Sequence, residues 1–179
     1  MENRNHKDSL FIDLFCKDKE GKQNFISLYN ALHNTNLDLA TTTVQEVNID
    51  NVLYMALSND IAMLVGNRLV VLVEHQSTIN ENMPLRLLEY VSRIYEQLVP
   101  SEDRYEKKMI KIPYPEFFVF YNGTEDYPVE TELRLSDAFI FPDEKYNVKS
   151  SDLTIEIKVK IININSDKQS PILKQCKKL

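Results

Sequence analysis

The chain alternates between short apolar runs and polar breaks, and its clearest pair of runs spans Ile61 to Val65 and Leu69 to Val73. A Gly66-Asn67 turn stands between them, a pattern that predicts a β-hairpin. Downstream, Pro84 suits the first turn of a helix. The apolar face of that helix is Leu87, Val91, Ile94 and Leu98, while a second stripe at the same increments carries Arg86, Tyr90, Arg93 and Gln97. The unbroken run Phe117 to Tyr121 predicts an interior strand covered on both faces, entered between Pro113 and Pro115 and closed by the turn pair Asn122-Gly123. Leu153 to Ile164 alternates and predicts one further strand, with Glu156, Lys158 and Lys160 on its wet side.

Upstream, Asp8 or Ser9 can cap a short helix bearing Leu10, Phe11, Leu14 and Phe15. A second helix carries Phe25, Leu28, Tyr29 and Leu32 and fades at His33-Asn34. Val44 and Val47 give a weak strand signal, Tyr54 to Leu57 reads as helix or strand, and Leu133 to Phe141 is ambiguous. Pro171 opens a last short helix. A helix between the hairpin and the Phe117 strand permits a crossover, so the expected fold class is α/β, a mixed β-sheet flanked by helices.

At 179 residues, 43% hydrophobic, the chain can bury one core. No stretch approaches the roughly 20 apolar residues of a membrane span, and the first residues lack a signal peptide's apolar centre. Cys16 and Cys176 lie at opposite ends without ligand spacing. They read as reduced thiols, so a cytoplasmic protein with no membrane partner is expected. A net charge of −6 argues against a wide DNA-coating surface. It leaves room for a nuclease, in which a bound divalent cation and a local basic stripe meet the phosphates. Only 3 glycines exclude a Gly-rich phosphate loop.

The candidate chemistry sits on the hairpin. Asp60 precedes the first run, and Glu74-His75-Gln76 closes the second, so a carboxylate from each strand approaches one sheet edge. Neighbouring carboxylates repel, and a Mg²⁺ ion with its preference for oxygen ligands relieves that repulsion. Such an ion can polarise a phosphodiester and supply hydroxide. In a regular strand Glu74 and Gln76 project together and His75 points away. Register decides the rest. With a two-residue Gly66-Asn67 loop, Asp60 faces Val73; convergence on Glu74 needs a loop extended to Arg68, a bulge or splayed strands.

The segments D-I-A-M-L-V-G-N-R-L-V-V-L-V-E-H-Q-S-T and M-P-L-R-L-L-E-Y, with D-S-L-F-I-D-L-F, P-E-F-F-V-F-Y-N-G, L-R-L-S-D-A-F and the N-I-N of Asn163 to Asn165, resemble the Rpn family of recombination-promoting nucleases, also labelled transposases. That family belongs to the PD-(D/E)XK nuclease superfamily, and the likeness covers nearly the whole chain. It implies a restriction-endonuclease-like sheet and a Mg²⁺-dependent DNA endonuclease linked to recombination or mobile elements. Asp60 and Glu74 are then the metal-binding acids, and Gln76 stands where many members carry lysine. Gln76 can hydrogen-bond water or phosphate but brings no positive charge. Stabilising the transition state then falls on the metal, helped by Arg86, with Tyr90 a second substrate-contacting candidate. Members usually continue into a helical C-terminal region. The resemblance therefore implies a nuclease-like domain over 1–165 and the start of a truncated region over 166–179.

Plainer readings stand beside these. Asp60 and Glu74 can be surface acids satisfied by Arg86 or Arg93, and Gln76 a structural amide. Arg86 and Tyr90 can serve helix packing and pairing. His6, His33 and His75 share no ligand spacing, and capping explains Asp8 more simply than metal binding does, with Asp13 treated alike. The rival function is a catalytically weak or inactive module that binds DNA, a protein or its own copies as a homo-oligomer. An RNase is weaker still, since nothing reads a 2′-hydroxyl.

Overall fold

The computed structural model describes residues 13–16, 18–47, 61–76, 78, 80–142, 145, 151–165 and 170–176, with 73–76 described through their backbone. The Asp8 or Ser9 cap and the segment from Tyr54 to Leu57 lie outside the described residues.

Helix α1 (Lys19–His33) begins at Asp18, whose carboxylate accepts from the Gly21 N–H at 2.9 Å. It ends at Asn34, where a left-handed φ of 52° stops the spiral. The Asn30 side chain then stitches the exit, accepting from the Leu37 N–H at 2.8 Å and donating to the Leu37 carbonyl at 2.9 Å. Gly21 is required by a close approach, because a Cβ there would lie 3.0 Å from the Cys16 backbone nitrogen.

Strands β1 (Val44–Glu46), β2 (Ile61–Val65) and β3 (Arg68–Gln76) follow. Helix α2 (Met83–Leu98) then crosses to β4 (Tyr114–Tyr121). The chain closes with β5 (Glu130–Arg134), β6 (Lys158–Asn163) and the short α3 (Pro171–Gln175). One sheet results, in the order β1-β2-β3-β4-β6-β5. The pairs β3/β4 and β4/β6 are parallel and the others antiparallel. This is the α/β, restriction-endonuclease-like mixed sheet that the sequence led us to expect.

Strand alternation separates two cores. Val70, Leu72, Phe118, Phe120 and Ile162 pack toward Phe25, Leu28 and Tyr29 of α1. Leu69, Val71, Phe117, Val119 and Ile161 pack toward Leu87, Val91 and Ile94 of α2. Each large aliphatic or aromatic side chain so buried contributes about 1.5–3 kcal/mol. Cys16 and Cys176 both end as free thiols in the α1-side core. Burial, with the Glu46 carboxylate adding, pushes the Cys16 thiol up to about 12, so it is no ready nucleophile.

Two expectations need correction. Tyr90 does not lie apart from the apolar face with Arg93 and Gln97: it is 6% exposed and belongs to the α2-side core. The buried stripe of α2 is wide enough to take in positions 83, 87, 90, 91 and 94 together. The strand expected from Leu153 begins only at Lys158. Its neighbour β5 stops at Arg134, opposite Lys158, where the chain turns into a single 3-10 turn over Leu135–Ala138. With no ladder beyond that point, Glu156 folds back to accept from the Ser136 hydroxyl at 2.8 Å and the Ser136 N–H at 3.1 Å. Against the rise that burial alone would cause, these bonds hold the Glu156 carboxyl below its ordinary range. Lys160 keeps to the wet side as expected, its side chain 42% exposed, and pairs across the edge with Glu130 at 2.8 Å.

Candidate active site at the carboxyl ends of the parallel strands

Ligands of open α/β sheets gather beyond the carboxyl ends of parallel strands, where chain reversals expose backbone and side chains together. Here those ends form a row: Gln76 of β3 lies in register with Tyr121 of β4, and Tyr121 with Asn163 of β6. The hairpin delivers its open end to the same edge, because Ile61, the first residue of β2, pairs with Leu72 of β3. Glu74 therefore lies on the final turn-free stretch of β3 beside that edge, and Gln76 ends the strand. Asp60 lies outside the described residues, and Glu74 and Gln76 are described through their backbone.

The hairpin register can be read directly. Val65 pairs with Arg68, so the loop is the two-residue Gly66-Asn67 and not the longer one. Gly66 carries φ 58° at its first central position, as tight turns of the primed kind demand. An irregularity is present elsewhere: β3 takes three steps from Val73 to Gln76 while β4 takes two from Val119 to Tyr121. A spare residue thus falls in the Glu74-His75 stretch, and the rule that positions two apart share a face does not carry across it.

Neutral polar groups hold the rest of the edge. Asn163 is fully buried, yet its Nδ2 donates to the Tyr127 carbonyl at 2.9 Å and its Oδ1 accepts from the Asn165 N–H at 3.0 Å. Asn165 Nδ2 donates to the Gly123 carbonyl at 2.9 Å. The Tyr121 hydroxyl accepts from the Glu125 N–H and donates to the Glu125 carbonyl, each at 3.1 Å. Tyr127 packs its ring 5.1 Å from that of Tyr121. Burial raises the Tyr127 phenol, and the nearby Glu81 carboxylate, just ahead of α2, adds to the rise.

From α2, Arg86 is half-buried in the first turns, and among the described residues its guanidinium meets only the Met83 sulfur, at 3.4 Å. Arg93 is spent on Glu96 at 3.1 Å. Tyr90 packs into the core, which leaves Arg86 as the cation on this helix nearest the strand ends. Among the described residues no three His, Cys, Asp or Glu side chains converge as a metal cluster.

A second polar group went unforeseen at the opposite, amino end of the strands. Arg68 Nη1 reaches Glu116 Oε1 at 3.2 Å, and His33 Nε2 approaches Glu116 Oε2 at 3.3 Å without hydrogen-bond alignment. The His33 ring lies 4.3 Å from that of Tyr29. Burial holds its imidazole below the usual histidine range. Glu116 opposes that effect, while Arg68 and Lys160 reinforce it. The one signal in the sequence was a glutamate leading into an otherwise apolar strand.

Against known proteins, the model of the family described as "Putative transposase, YhgA-like" matches residues 5–170. No curated protein and no solved structure matches the chain.

Proposed function

The chain belongs to the YhgA-like transposase family, and from that premise we propose that it is a divalent-metal-dependent DNA endonuclease acting in recombination or the movement of mobile elements. The observation that supports this most directly is the shared edge: the open end of the hairpin and the carboxyl ends of β3, β4 and β6 meet there.

Asp60 and Glu74 offer carboxylate oxygens only, a donor set that suits a hard cation such as Mg²⁺ better than a thiolate- or imidazole-seeking metal. Such an ion supplies a polarised phosphoryl oxygen and an acidified water. The Gln76 amide would orient the attacking water or the scissile phosphate through hydrogen bonds, in the place of a lysine. Arg86, with no carboxylate partner among the described residues, contacts a phosphate oxygen and offsets charge that lysine would otherwise offset. Tyr90 supports the helix from the core and contributes to substrate contact only by placing Arg86.

Plasmid nicking with Mg²⁺ tests the reading. Wild type is expected to nick and Asp60→Ala to lose activity by about a thousandfold, the upper range for one electrostatic group. Equal nicking by both proteins removes Asp60 from the reaction. Gln76 in place of lysine favours a second reading, a DNA- or protein-binding module without turnover. Calorimetry showing no Mg²⁺ binding, together with concentration-dependent association, would select that one.

A further inference from the structure

Asn163 is a fully buried amide that follows the buried Ile161 and Ile162 at the end of β6. Burying an amide is costly unless its bonds are made, and a further isoleucine would fill the position at no such cost. Its bonds are made, and none of those described goes to another layer of the core. They run to the loop joining β4 to β5 and to Asn165, which bonds the same loop. The carbonyl oxygens of Gly123, Glu125, Tyr127 and Val129 and the N–H of Glu125 are all taken up by Tyr121, Asn163 and Asn165. In addition, the Ile164 N–H donates to the Tyr121 carbonyl at 2.8 Å, locking β6 to β4 at the same level. A loop fastened at four of seven successive residues has little freedom left. It lies beside the row Gln76, Tyr121 and Asn163, and Glu81 at the entry to α2 acts on its Tyr127.

We propose that Asn163 and Asn165 are positioning residues for the strand-end site, fixing loop 123–129 as a rigid wall against which a nucleic-acid backbone is aligned with Glu74 and Gln76. This rests on the nuclease reading above. The amides touch neither metal nor phosphate; they set the distance between the loop and the β3 terminus. Displacing a reacting group by about 1 Å can cost a hundredfold in rate, so the loss should appear in kcat more than in KM.

The experiment compares full-length wild type, Asn163→Asp and Asn165→Ala. Asn165 is only half-buried, so its variant keeps the test open if N163D fails to fold. Amide hydrogen exchange over 123–129 and Mg²⁺-dependent plasmid nicking are measured on each. Expected are exchange about five- to tenfold faster in the loop, the loss of one hydrogen bond read as local opening, with core amides unchanged. Nicking kcat should fall about 10- to 100-fold with little change in KM. Unaltered loop exchange in a folded variant overturns the proposal, because the loop is then held by something else. A loosened loop with unaltered kcat also overturns it, leaving the amides as a fold staple. Wild type without nicking defeats the nuclease reading instead, while exchange still reports separately on whether the amides hold the loop.

Discussion

The two ends of the parallel strands β3, β4 and β6 are built from opposite chemistry. At the amino end a charge answers a charge: Arg68 reaches Glu116, whose side chain is 15% exposed, with the His33 ring beside it. At the carboxyl end, the described bonding is neutral, made by Asn163, Asn165 and the Tyr121 hydroxyl to backbone groups. A part-buried ion pair responds strongly to a new charge placed near it, whereas neutral amide-to-backbone bonds respond far less, because a dipole couples to a charge more weakly than a second charge does. A site of the kind proposed, taking a cation and a polyanion, is better framed by the second kind. The amino end can then serve stability, and the carboxyl end can serve binding.

That division can be broken most forcefully at Glu116. Glu116→Ala leaves Arg68 without its part-buried carboxylate acceptor and is expected to cost about 2 kcal/mol of unfolding free energy by urea titration, with Mg²⁺-dependent nicking unchanged. Lost nicking in a protein of native stability would show that the ends are coupled. Gly66→Ala is the next step down. An added Cβ meets nothing within 4 Å, so only the positive φ of 58° opposes it, and about 1 kcal/mol is expected. A larger loss would mean that the hairpin turn contributes more to the amino end than its local conformation.

The smallest effect should be a pH dependence. Because burial lowers the His33 pKa in the folded chain, the unfolded chain takes up the proton first as pH falls. The stability tied to neutral His33 is therefore present above the unfolded value of about 6.5 and is lost as pH drops from there toward the folded value. Melting temperatures of wild type and His33→Gln between neutral and mildly acidic pH should converge as pH falls. Parallel curves would remove His33 from the account.

Local signals made much of this fold legible. The Gly66-Asn67 pair, Pro84 and the run Phe117 to Tyr121 each encode their element in a few adjacent residues, and each appears where expected. What escaped depends on partners far along the chain. The strand expected from Leu153 is shortened because β5 stops at Arg134, a fact about pairing. Tyr90 is polar by its hydroxyl and core by its ring, and only packing decides between them. The Arg68–Glu116 contact spans 48 residues and leaves no periodicity to read. Of the candidate site, the acids and Gln76 could be named from the hairpin pattern and the family likeness. The role of Asn163 could not, because an asparagine at a strand end is usually a turn residue and its burial is visible only in three dimensions.

The outer flank of the sheet has its own consequence. Strand β5 is last in the strand order, and it alternates Glu130, Glu132 and Arg134, with Glu130 already engaged by Lys160. An incoming strand would have to bury or displace those charges to continue the ladder. The border therefore discourages fibril-like growth, and copies of this chain crowded together have little incentive to extend one another's sheets from that side.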